Sequence, residues 1–282
     1  MNVFRVYGPS AAPVPLLLSI PHCGTFVPED LCGEFDPELL STKDDTDFFV
    51  DRLYDFAPGI GATVLAANVS RWVIDLNRDP ADKPLYSDGR VITGLCPVTD
   101  FTGKPLYRDQ RKSVAPTEIQ QRLQDWYWPY HEELERVKNS MLEKHGAVII
   151  WECHSIRRSV PAIHPEDFPD LILGDAGGRS AAPRLTESAL NALSAGSYQL
   201  AHNHPFQGGY ITRHFGNPAK NIHALQLEMT KVNYLKDDET TWDETRASAM
   251  QSLLQSTLSV LTDSLPRITA DQKHQQIIGE QL

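Results

Sequence analysis

Three apolar stretches of this chain each lead into residues that hold metal ions or move protons. "LLLSIPHCG" (16–24) delivers His22, "VIIWECHS" (148–155) delivers Glu152 and His154, and "ALQLEMT" (224–230) carries Glu228. Between the first two, "DDTDFFVD" (44–51) offers Asp45, Asp47 and Asp51. Imidazole and carboxylate groups brought from separate strand ends build a three-ligand catalytic zinc site, with the fourth position open to water. His22, His154 and one of the acids supply such a set, and Glu228 is left as a general base. Zinc brings the pKa of its water to about 7, so a neighbouring carboxylate has only to steer and relay the proton. The compact HExxH signature is absent, so the pattern rests on two histidines in matching positions.

Each residue also has a plainer use. A lone histidine after a strand commonly bonds backbone. Glu152 suits the role of orienting a ligating imidazole as well as that of ligand. Asp44 reads best as a complement to a helix dipole, and Cys23 and Cys153 as small packing residues.

Arginines form the second theme. "SRWVIDLNRDP" (70–80) places Arg71 and Arg78 on either side of a short apolar run that includes Asn77, Arg157 follows His154, and "YITRHFG" (210–216) adds Arg213. Guanidinium groups pair bidentately with carboxylates, so several in one site suit a substrate bearing acid groups. For any one of them the ordinary alternative is an ion pair with one of the chain's 37 acidic residues. Gly208 and Gly209 allow either close approach of backbone to a ligand or a hairpin turn. His131, in "WYWPYHEELE", is placed to reach the site from its helix, but a helix-surface or interface histidine is the plainer reading. No GxxxxGK[ST], GxGxxG or GxSxG stretch supports a phosphate loop or a serine nucleophile elbow.

The elements that must position these groups alternate between apolar strands and helices. After the strand at 15–24 comes a helix over 35–59 with Asp36 as N-cap, then a strand at 62–70 and a long loop over 79–115. A helix over 116–146, kinked at Pro129 and capped by Gly146, leads directly into "AVIIW". A strand at 170–174, a helix near 182–195, the strand "ALQLEMT" and a helix near 241–263 complete the pattern. This alternation predicts an α/β fold: three layers, α/β/α, around a mixed, mainly parallel sheet whose sites gather at the strands' carboxyl ends. The expected organisation is one domain over 1–265 and a polar tail over 266–282 that frays.

Composition narrows the partners. With 41% hydrophobic and 22% charged residues the chain is globular, and a net charge of −11 argues against nucleic acid. Four cysteines without paired spacing fit a reducing compartment rather than disulfides. With no leader pattern and no membrane-length apolar run, the expectation is a cytoplasmic protein acting on a small acidic molecule. Oligomeric state is not legible.

Together, "SIPHCGTFVP", "DTDFFVDRLYD", "SRWVIDLNRDP", "WECHSIRRSVP", "LILGDAGGRSA", "HPFQGGYITRHFGNP" and "HALQLEMTKVNYL" resemble the N-formylglutamate amidohydrolase family, in family order from about residue 18 to 235. The usual family wording is "PHSG" and "D-x-HS"; here Cys23 replaces the serine, and Glu152 replaces the aspartate. The resemblance implies a zinc-dependent amidohydrolase that cleaves N-formyl-L-glutamate to formate and L-glutamate, a last step of histidine degradation. It also implies a fold similar to zinc carboxypeptidases and aspartoacylase-type deacylases. Carried over, His22 and His154 become metal ligands and Glu228 the base. The carboxypeptidase spacing would put the acid ligand at Thr25, which cannot serve, so Asp47 is taken, with Asp45 as competitor. Arg71 or Arg213 stabilises the oxyanion, and Arg78, helped by Arg157 or Arg213, clamps the substrate carboxylates beside Asn77, Gly208 and Gly209. The same ligands accept other divalent transition metals. Two alternatives stand beside this: hydrolysis of another N-acyl amino acid or short peptide, and a non-catalytic metal- or acid-binding relative.

Overall fold

Leu16–Ile20 (β2) is buried at every position because both faces of its sheet are covered. The computed structural model describes residues 2–85 and 92–279, with side chains as far as 269. In chain order the strands are Phe4–Tyr7 (β1), β2, Thr63–Ala67 (β3), Val148–Ile156 (β4), Leu171–Gly174 (β5), Leu200–His202 (β6) and Ile222–Thr230 (β7). They form one sheet ordered β1-β3-β2-β4-β7-β5-β6. The central four, β3, β2, β4 and β7, run parallel, while β1 and β5 each pair antiparallel with their neighbours β3 and β7. The edge strand β1, with only four residues, was not anticipated from the sequence.

The helices are Glu29–Cys32 (α1), Pro37–Thr42 (α2), Val50–Leu53 (α3), Pro116–Arg122 (α4), Trp128–His145 (α5), Pro183–Leu193 (α6), Tyr210–Phe215 (α7) and Glu244–Gly279 (α8). Leu18, Val64, Ile149, Trp151 and Leu227 pack on one side against α6 and α8, through Leu185, Leu193, Leu254 and Leu258. Leu17, Leu65, Ile150 and Ala224 pack on the other against α5 and α7, through Leu134, Val137, Ile211 and Phe215. The three-layer α/β/α class is therefore the observed one. Among the described residues, no helix is long and apolar enough to cross a membrane.

Four local readings are corrected. The helix expected over 35–59 starts as predicted, with Asp36 capping the Glu38 and Leu39 N–H groups, but breaks between α2 and α3. Lys43 and Phe49 there adopt left-handed backbone, and the intervening Asp44–Asp47 segment is free to turn toward the sheet. In the helix over 116–146 the irregularity is a π turn at Leu123–Tyr127, just ahead of Pro129, which lacks the N–H that would continue the α ladder; Gly146 caps its end. Gly208 and Gly209 lead into α7 rather than closing a hairpin. Finally, α8 does not stop near 263 but carries through Pro266 to Gly279, with Leu265 and Ile268 still in the core, so the boundary drawn at 265 falls inside one helix. Of the loop expected over 79–115 and the tail over 266–282, residues 86–91 and 280–282 lie outside the described residues.

Candidate active site

The sheet's register sets up the site. On β4 the period-2 alternation puts Cys153 into the apolar layer under α6 and α8, and puts Glu152 and His154 on the opposite face with Ile150. β7 runs parallel alongside, pairing His154 with Glu228 and Glu152 with Gln226. His22 follows the end of β2. Asp47 sits in the break between α2 and α3, with its N–H bonded to the His22 carbonyl at 3.0 Å. The predicted strand-end residues thus meet at the carboxyl edge of the parallel strands.

His22, Asp47 and His154 are all buried, and one ligand atom from each lies within 4.8 Å of the others. Asp47 Oδ2 is 3.1 Å from His154 Nδ1 and 3.8 Å from His22 Nδ1. Each ring's other nitrogen is engaged by its own carboxylate: His22 Nε2 meets Asp75 Oδ1 at 2.7 Å, and His154 Nε2 meets Glu152 Oε1 at 2.7 Å. Ligating imidazoles characteristically use one nitrogen for the ion and give the other to an acceptor. The competing acid, Asp45, is committed elsewhere, accepting from Trp72 Nε1 at 2.9 Å and from the Phe101 N–H, and Asp51 pairs with Arg5.

The electrostatics suit a cation. Burial, together with the charge of Arg71, pushes His22 down to about 4, so this ring is neutral and able to ligate. Burial also opposes charge on His154, but Asp47 and Glu152 outweigh it and raise the ring to about 10. The same bond holds the Asp47 carboxyl below the usual range despite its burial. This corner of the site is built to hold positive charge, which a ring proton or a divalent ion supplies. Burial raises Glu228 to about 8, with Asp47 adding to the shift and His154 opposing it.

His22, Asp47, His154 and Glu228 line a cavity of about 90 Å³. Arg71, Asn77, Arg78, Gly208 and Gly209 line it as well. Arg71 stands 3.2 Å from His22 Nδ1, bonds Asp75 Oδ2 at 2.7 Å, and lies over the Phe101 ring. Arg78 approaches Asp75 at 3.7 Å and donates to the Thr93 carbonyl. Two predicted arginines are not brought to this cavity. Arg157 is engaged by Asp44 and Glu239, and Arg213 donates to the carbonyls of Gly208 and Leu85, fastening the wall from behind. His131, expected on a helix surface, is instead buried, stacked on Tyr127 at 4.1 Å, with Nε2 donating to the Leu76 carbonyl.

Sequence reasoning passed over Asp75 and Thr212. Asp75 takes His22, Arg71 and the Asn77 N–H; its signal was its place between Arg71 and Arg78 in "RWVIDLNR". Thr212 donates its N–H and hydroxyl to Glu152 Oε2, a contact between residues 60 apart that no local pattern announces.

An α/β sheet whose carboxyl edge gathers two imidazoles, a carboxylate between them and a glutamate alongside has the layout of a hydrolase that works with a divalent ion. The family model for N-formylglutamate amidohydrolase matches residues 14–235, and the chain belongs to that family. It is 40% identical over 252 residues to an N-formylglutamate deformylase of Pseudomonas putida, spanning 88% of this chain and 92% of that protein. A second N-formylglutamate deformylase, from Pseudomonas aeruginosa, is 41% identical over 230 residues, 79% of this chain and 83% of that one. The crystal structure of N-formylglutamate amidohydrolase from Ralstonia eutropha JMP134 superimposes with a TM-score of 0.79 at 29% identity, covering 95% of this chain and 99% of that one. A gene product of Agrobacterium tumefaciens, at TM-score 0.71 and 18% identity over 93% of this chain and 96% of its own, shares the fold.

Proposed function

We propose that this enzyme hydrolyses N-formyl-L-glutamate to formate and L-glutamate, using a divalent ion, zinc by its donor set, held by His22, Asp47 and His154. The observation that carries the reading is the convergence of two Nδ1 atoms and a carboxylate oxygen in the cavity that also presents Glu228. Two imidazoles and one carboxylate form a standard catalytic zinc set. Relatives about 40% identical that bear the name N-formylglutamate deformylase support the substrate.

When bound, the ion polarises the amide carbonyl and lowers the pKa of water to about 7. Glu228 accepts the attacking water's proton and returns it to the departing amine. A group that must both take and give a proton works best with a pKa near the operating pH, and its surroundings move Glu228 in that direction. Arg71, beside His22 Nδ1, stabilises the charge that develops on the carbonyl oxygen. Arg78, from the same cavity wall, pairs with a glutamate carboxylate. Asn77, Gly208 and Gly209 shape the wall against which the substrate lies. The four free thiols support a reducing, cytoplasmic setting.

Replacing Glu228 by Gln tests the assignment: zinc retained with turnover lost supports it, and near-normal turnover rules Glu228 out as the base. A second reading, hydrolysis of longer N-acyl amino acids, is favoured by an adjoining cavity of about 210 Å³ that shares Phe101, Ser155 and Ile156 with the first; Val160, Pro161 and Ala162 line it together with the charged Asp44, Asp45, Arg157 and Lys231. Parallel assays of N-formyl-, N-acetyl- and N-succinyl-glutamate separate the two.

A further inference from the structure

The Glu152 carboxylate is completely enclosed, and hydrogen-bond donors reach it from three elements. Oε1 faces His154 Nε2 at 2.7 Å and also takes the Asn77 amide; Oε2 takes the Thr212 N–H at 3.0 Å and the Thr212 hydroxyl. The Asn77 amide is itself oriented, because its Oδ1 accepts the Ile211 N–H at 2.9 Å, which turns the NH₂ toward Glu152. An ionised carboxylate only accepts. His154 Nε2 lies 2.7 Å from Oε1, closer than the 3.1 Å to the Asn77 amide nitrogen, so its hydrogen goes to the carboxylate; in the neutral ring the lone pair then lies on Nδ1, the atom facing Asp47 at 3.1 Å.

We propose that Glu152 is a positioning residue: it fixes the tautomer and angle of His154 for ion binding by clamping the ring to the start of α7 and to Asn77. This rests on reading the cluster as an ion site. The same carboxylate thereby ties a ligand to the cavity wall, since α7 continues directly from Gly208 and Gly209, and the Gly209 N–H is held by Gln226, the β7 neighbour of Glu152. A glutamine at this position has nearly the same shape but one acceptor oxygen and one NH₂. Whichever way its amide turns, a donor confronts a donor, at His154 Nε2 or at the Thr212 N–H. If the NH₂ faces His154, the ring hydrogen is driven to Nδ1 and the ion loses its lone pair.

The test needs no substrate. Zinc dissociation constants are measured by chelator competition on the wild-type chain and on Glu152→Gln, with visible spectra of the cobalt-loaded proteins and melting curves of the metal-free ones. Disturbing the acceptor behind a ligating histidine costs about 10–100-fold in metal affinity, so that loss is expected here, with an altered cobalt spectrum. Thr212→Val, which removes only the hydroxyl donor, weakens zinc several-fold in the same direction, and it decides the matter should Glu152→Gln not fold. Zinc affinity and cobalt spectra equal to wild type, with only the melting temperature lowered, would show Glu152 to be packing and overturn the proposal. A wild-type chain that binds no zinc would instead defeat the reading of the site itself.

Discussion

His22 and His154 turn the same ring atom toward the same carboxylate, yet they are braced by different chemistry. Behind His22 stands Asp75, whose remaining bonds go to Arg71 and the Asn77 N–H, with Arg78 3.7 Å away. Both arginines face the cavity. Behind His154 stands Glu152, held by the neutral donors of Thr212 and Asn77, deep between β4 and α7. One brace links ion holding to the charges that meet an acidic substrate. The other links it to the fold. Residues 75–77 serve both, which makes that short segment the hinge of the site's architecture.

The largest expected effect comes from breaking the charged brace. Asp75→Asn takes the counter-charge from the buried Arg71 and the half-buried Arg78 and the acceptor from His22, so it should weaken zinc and also lower kcat/KM by about 10²–10³. Steady-state kinetics over a range of zinc concentrations separate the two losses. The contrast with Glu152→Gln is the informative part: the Asp75 change should move KM for the acidic substrate and the Glu152 change should not, so equal KM values in both would abolish the distinction. A smaller effect follows from Arg78→Ala, which is expected to raise KM about 10- to 100-fold with zinc affinity unchanged. A loss of zinc affinity in that variant would mean that Arg78 supports the ion site rather than the substrate.

An effect on stability rather than on activity sharpens the shared segment. Burial lowers His131 from 6.5 to about 4, while its Nε2 hydrogen is given to the Leu76 carbonyl between Asp75 and Asn77. The folded chain keeps this ring neutral where the unfolded chain protonates it, so acid favours unfolding. The stability is fully present above about pH 6.5 and is lost as the pH falls toward 4, up to a value on the order of 3 kcal/mol. Melting temperatures at pH 7 and pH 4.5 should therefore fall less in His131→Leu than in the wild type. Equal falls would show that this ring does not govern the segment's acid response.

Much of this arrangement was legible because apolar strands advertise their own ends. His22, His154 and Glu228 could be picked out as titratable groups beyond or along buried runs, and the layered class followed from the same alternation. Partners distant in sequence were not legible. Arg157 looked available until Asp44 and Glu239, 113 and 82 residues away, were seen to hold it. Asp47 reaches the histidines only because the helix breaks around left-handed Lys43 and Phe49, residues whose identity gives no hint of that backbone. α7 was missed because its six residues are too few to show a helical period.

The central claim is that one ion is gripped through the Nδ1 atoms of both histidines and the Asp47 carboxylate. Anomalous diffraction at the zinc edge, from crystals grown with the metal, tests it directly. A single peak about 2.0–2.2 Å from His22 Nδ1, His154 Nδ1 and an Asp47 oxygen is the predicted result. A peak on the Nε2 side of either ring, or zinc bound only outside this cavity, would contradict it.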